Sequence, residues 1–114
     1  MPSPATYNLV VPQATTFTFQ FQTKNGDQPW NLTGYTATMT VRPFLGSSTT
    51  TLIATTENGK IVLDAFNGIA TVTFSADDTN ITAESYVYDF VYDSGDVVSR
   101  MLEGQFIVTA GVTV

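Results

Sequence analysis

The side chains best placed for chemistry are carboxylates, and they fall into two groups. Asp77 and Asp78 are adjacent, and neighbours in sequence do not converge on one substrate bond. Within Ser75-Ala-Asp-Asp-Thr they read instead as acids in the first turn of a helical segment whose N-cap is Ser75, where they favour its positive end. Asp89, Asp93 and Asp96 flank a turn signal and offer oxygen atoms of the kind calcium takes. Their spacing is not that of an EF-hand loop, and capping of the turn is the competing assignment. Serine and threonine are plentiful, but there is no Gly-x-Ser-x-Gly elbow, no histidine and no cysteine. A hydroxyl therefore has no imidazole to activate it, and neither a thiolate metal site nor a disulfide framework is available. Neither an enzyme nor a bound cofactor or metal is expected.

Three further features suit binding. Arg42 and Arg100 are two of only four basic residues, and both fall on predicted strands. Each is either a solvated or paired charge worth under about 1 kcal/mol or an interface anchor, a role in which arginine is enriched. Trp30, with Tyr35 close by, is either a stacking platform for sugars or a plug at one end of the core. Asn31-Leu-Thr33 and Asn80-Ile-Thr82 match the glycosylation acceptor pattern, which a threonine-rich chain also produces by coincidence.

Charge narrows the partners. Ten acidic side chains against four basic ones give a formal net charge of −6, which repels phosphate backbones, so nucleic acid is not expected. Met1-Pro-Ser-Pro-Ala has neither the basic nor the apolar stretch of a secretory signal, and no run approaches a membrane span. Synthesis in the cytoplasm and no membrane association are the expectation.

These residues need a scaffold, and 114 of them fit one domain. Its centre is Glu84 to Asp93, where Tyr86, Tyr88, Phe90 and Tyr92 alternate with Val87, Asp89 and Val91, the period of a strand buried on one side. Phe17, Phe19 and Phe21 repeat the pattern, as do Ala37, Met39 and Val41. Tyr7 to Val11, Thr50 to Thr55, Ile61 to Leu63, Ile69 to Phe74 and Val97 to Val108 complete a set of seven to eight strands. Turns are predicted at Asn25-Gly26, at Asn67-Gly68, at Asp93 to Asp96 and, as a hairpin, at Glu57 to Lys60. Gly104, inside the last strand pattern, predicts a bulge. Trp30 to Tyr35 reads as an irregular crossing in which Gly34 marks a sharp bend. The sum is an all-β antiparallel β-sandwich with at most one short helical turn, a barrel being the competing closure. Tyr86, opening its strand two residues before Tyr88, is either an ordinary core ring or the tyrosine corner of an immunoglobulin-like fold, with Tyr88 where such domains place a cysteine.

Leu32-Thr33-Gly34-Tyr35-Thr36-Ala37-Thr38-Met39-Thr40-Val41-Arg42, with Tyr86-Val87-Tyr88-Asp89-Phe90 and Arg100-Met101-Leu102-Glu103-Gly104, resembles small tailed-phage virion proteins. Their fold is the immunoglobulin-like β-sandwich also found in the amino-terminal domain of phage baseplate upper proteins, and the resemblance covers nearly the whole chain. It implies a structural role in a bacteriophage virion, on tail, baseplate, collar or capsid. With nothing after Val114 to serve as a fibre shaft or receptor-binding head, an adaptor or decoration subunit is the expectation. Partners would be other virion proteins and copies of the chain, held by open strand edges and by arms at residues 1–5 and 111–114. Many weak contacts would then add up through avidity. The interface residues expected are Pro2, Pro4, Arg42, Arg100, Val112 and Val114. The alternative is a carbohydrate-binding module that attaches a particle to glycans.

Overall fold

Strict alternation of apolar and polar residues becomes strand after strand in the computed structural model, which describes residues 5–111. Pro2, Pro4, Val112 and Val114 lie outside the described residues. The strands are β1 (Ala5–Thr6), β2 (Leu9–Pro12), β3 (Phe17–Gln22), β4 (Lys24–Asn25), β5 (Gln28–Pro29), β6 (Thr36–Arg42), β7 (Leu52–Thr55), β8 (Ile61–Asp64), β9 (Ile69–Phe74), β10 (Ser85–Asp93) and β11 (Val98–Thr109). Eight of them have four residues or more, in line with the seven to eight expected; β1, β4 and β5 are two-residue additions.

One sheet runs β1-β11-β10-β6-β7, with β2 also on β11; the other runs β3-β9-β8, and β4 and β5 form a separate hairpin. If β3, β6, β7, β8, β9, β10 and β11 are lettered B, C, C′, D, E, F and G, the two layers are BED and GFCC′. That is the strand order of an immunoglobulin-like sandwich. The pairing is not wholly antiparallel, because β1 and β2 both run parallel to β11.

The core lies between the layers. Tyr86, Tyr88, Phe90 and Tyr92 of β10 are buried, as are Ala37, Met39 and Val41 of β6 and Ala70, Val72 and Phe74 of β9. Rings bridge the layers edge to face: Phe21 of β3 meets Phe90 at 4.8 Å, and Phe106 of β11 meets Phe74 at 5.9 Å and Phe17 at 6.3 Å. Such geometry sets the positive edge of one ring against the negative face of another and adds about 0.5–1.5 kcal/mol per pair beyond area burial.

The crossing from β9 to β10 is fixed by polar groups. Ser75 Oγ accepts from Asp78 N at 3.1 Å while Asp78 Oδ2 accepts from Ser75 N at 3.0 Å, a reciprocal cap on a single helical turn. Burial alone would raise the Asp78 pKa, but the Lys60 ammonium and the Ser75 N–H and hydroxyl outweigh it and hold the carboxyl below its ordinary value. Thr79, fully buried, donates its hydroxyl to Thr15 O at 2.6 Å and accepts from Thr15 N at 2.9 Å. That strap holds the β2–β3 loop, where Ala14 has φ 59°, a left-handed conformation that costs a residue with a Cβ roughly 1–2 kcal/mol. Tyr86 Oη donates to Thr82 O at 2.7 Å, four residues upstream. The tyrosine corner is therefore present.

Two local expectations need correction. Glu57 to Lys60 is not a hairpin, since β7 pairs with β6 and β8 with β9; the Asn58 turn instead carries the chain from one layer to the other. The bulge in β11 falls at Met101, where the register passes from Phe90↔Leu102 to Val91↔Arg100, and not at Gly104. Asn67-Gly68 does join a true hairpin, β8 to β9, and Asp93 to Asp96 joins β10 to β11.

The three buried tyrosines of β10 separate by what their hydroxyls touch. Tyr88 Oη donates to Tyr7 O at 2.6 Å. Tyr92 Oη lies beside the Thr23 hydroxyl, but both fall short of hydrogen-bond geometry. Tyr86→Phe and Tyr88→Phe should each lower stability in urea denaturation by about 1 kcal/mol, and Tyr92→Phe by close to nothing. Equal losses at all three would contradict these assignments. Burial pushes the Tyr88 and Tyr92 hydroxyls up to about 12. Because the unfolded chain gives up these protons first, their stabilisation is complete below pH about 10 and is lost as pH rises to about 12. Phenolate absorbance from these two residues should accompany alkaline unfolding and not precede it.

Candidate functional site

The alternation that turns the tyrosines of β10 inward turns Val87, Asp89 and Val91 outward. On the neighbouring strands Thr40 and Arg42 of β6 and Glu103 of β11 occupy the same outward face. Cross-strand register arranges them in rows, Thr40–Asp89–Glu103 and Arg42–Val87–Gln105. Over one end of these rows stands the β6–β7 loop, which Pro43 starts by ending the strand pattern. It presents Phe44, 63% exposed, and Leu45, 91% exposed. Together they bound an open groove of about 810 Å³.

Both arginines expected at an interface line this groove. Arg100 Nε lies 3.3 Å from Asp89 Oδ2, and its Nη1 lies 3.8 Å from Glu103 Oε1. Pairs as exposed as these contribute little to stability. Arg42 Nη1 donates to Thr49 O at 3.2 Å and Thr50 Oγ1 at 3.1 Å, and among the described residues no carboxylate pairs with it. The loop thus fixes the guanidinium without neutralising it. Asp89 and Glu103 are directly opposed across β10 and β11, a like-charge arrangement that costs energy unless a cation is shared. Arg100 is that cation.

The other sequence candidates are dispersed. Asp93 Oδ1 accepts from Gly95 N at 2.8 Å, so it caps its turn, and Asp89 is engaged by Arg100. Among the described residues no three carboxylates gather where a metal ion would sit. Trp30 is half-buried against the core with its ring 6.5 Å from that of Tyr35, which is the arrangement of a plug. Asn31 Oδ1 accepts from Thr33 N and Thr33 Oγ1 in a local turn. Among the described residues no helix is long and apolar enough to cross a membrane.

The residues missed from sequence are Phe44 and Leu45. Their signal was present: two bulky apolar side chains between a proline and a glycine, in a turn with no strand to bury them. Gly104 also belongs to this region. A Cβ there would lie 2.4 Å from Tyr7 O and 2.9 Å from Asn8 Oδ1, so glycine is what lets the segment linking β1 and β2 lie flat on β11. No protein-family model matches the chain, and no curated protein sequence matches it.

Gly104→Ala should push Tyr7 away from β11, removing the 2.9 Å bond that Tyr7 N donates to Glu103 O and the bond that Tyr88 Oη donates to Tyr7 O. The expected cost is about 1–3 kcal/mol. Hydrogen exchange would show Tyr7 N–H losing protection while the β6–β10 amides keep theirs. Retained protection at Tyr7 would rule out this role for the glycine.

Proposed function

We propose that the protein is a structural component of a tailed-bacteriophage virion, an adaptor or decoration subunit of tail, baseplate, collar or capsid. It would be made in the host cytoplasm and built into the particle with other virion proteins and copies of itself. The observation that carries this reading is the groove: fixed charges and two exposed apolar side chains gathered on the outward face of a rigid sheet. A face of that kind works by shape and charge complementarity and needs no reacting group.

The resemblance of the Leu32–Arg42, Tyr86–Phe90 and Arg100–Gly104 stretches to small virion proteins supplies the class of assembly. Strand edges supply further contacts, because β7 ends one sheet while β3 and β8 end the other. Edge strands offer unpaired main-chain groups to a neighbour. Val62 on β8 and Ile53 on β7 are exposed along two of them.

Mass spectrometry of purified particles should find this chain in a fixed copy number. Particles free of it would refute the proposal. Calorimetric titration with a glycan panel at about millimolar sugar should give no heat. A strong signal abolished by Trp30→Ala would favour the carbohydrate-binding module instead.

A further inference from the structure

In the groove opposite charges balance, and they are unevenly placed within it. Among the described residues no carboxylate compensates the positive charge of Arg42 on β6. Across the sheet, Asp89 and Glu103 share a single cation, Arg100, leaving one negative charge in excess. Two bases and two acids therefore line the groove, and the chain's whole excess of −6 lies on the remaining surface, where Lys24 and Lys60 face eight acids. Two copies of such a chain repel each other over most orientations. They do not repel when these faces meet.

From this we infer that the outward face of the six-stranded sheet is the docking surface for a second copy of the chain, related by two-fold rotation. A patch with a positive side and a negative side is complementary to itself under that rotation, and an isologous interface makes each contact twice. Arg42 of each copy faces the Asp89–Glu103 pair of the other, which gives those opposed carboxylates a second cation. Phe44 and Leu45 of each copy cover the apolar part of the facing groove, removing from water two of the most exposed large side chains. The rows of β6, β10 and β11 hold the charged groups on strands, so little ordering is needed when the faces meet. This pairing rests on the groove being a docking face, the reading proposed above, and names its occupant.

Sedimentation of charge-reversed chains tests it. The unmodified chain should dimerise reversibly, more weakly at high salt as screened pairs require. Arg42→Glu places an acid against the facing carboxylates twice, and Glu103→Arg places a base against the facing Arg42 twice, so each variant alone should dimerise at least about tenfold more weakly. An equimolar mixture of the two should recover association, because one contact is then native and the other is reversed on both sides. Leu45→Ser should weaken the dimer without changing the salt dependence. A chain that stays monomeric to about 1 mM, variants that associate as the unmodified chain does, or a mixture no better than its components would each overturn the pairing. Recovery of a monomeric chain from particles would overturn it while leaving the virion role standing.

Discussion

The two sheets are held face to face by rings and by nothing covalent. Where immunoglobulin domains set a disulfide between strands B and F, this chain places Phe21 of β3 against Phe90 and Tyr92 of β10. The chain has no cysteine to do otherwise. Because every second residue of β10 is committed to that contact, the residues between them are committed to the outside. Asp89 and Val87 stand in the groove for the same reason that Tyr88 and Phe90 stand in the core. A one-residue slip of β10 would bury Asp89 and expose four aromatic rings, a cost no surface contact offsets. The register that makes the core thereby makes the lining of the groove.

The edges of the sandwich are treated unequally, and this decides what remains open. The β11 edge is closed from within the chain by β1 and β2, with Leu9 and Val11 buried as anchors. The polar strap at Thr79 holds the loop that carries β2 across to β3. By contrast, among the described residues no further strand pairs with the outer sides of β7, β3 and β8. Main-chain groups are therefore open along β7, β3 and β8, while on the fourth side the outer strands are β1 and β2 and not β11.

Much of this was legible in the sequence because strand periodicity is a local property. The inward faces of β6 and β10, the strand at β9, the Asn67-Gly68 turn and the Ser75 cap all follow from residues within ten positions of one another. What failed was non-local. Glu57 to Lys60 carries turn chemistry, and a turn looks the same whether the strands it joins pair with each other or part into separate sheets. Gly104 predicts a bulge because sequence offers two reasons for a glycine in a strand, a bulge or a close backbone approach, and only the path of Tyr7 decides between them. The parallel run of β1 and β2 along β11 left no local mark at all. Arg42 and Arg100 could each be singled out, but their meeting in one groove depends on β10 lying between their strands. Phe44 and Leu45 do not mark a site by themselves, because hydrophobicity in a turn is ambiguous until the fold leaves it uncovered.

A surface with few charges puts unusual weight on where those few lie. Threonine, serine, asparagine and glutamine keep most of the exterior soluble without fixing its orientation toward anything. Six surplus acids then act as a general deterrent, since any acidic neighbour is resisted wherever the local field is negative. In the groove, where Arg42 and Arg100 stand beside Asp89 and Glu103, that resistance is relieved. Attraction at the groove need not be strong for the face to be selective, because discrimination is a difference between orientations and most of that difference comes from repulsion elsewhere. The sparse charge that makes the chain poor in chemistry is thus what can make its contacts specific.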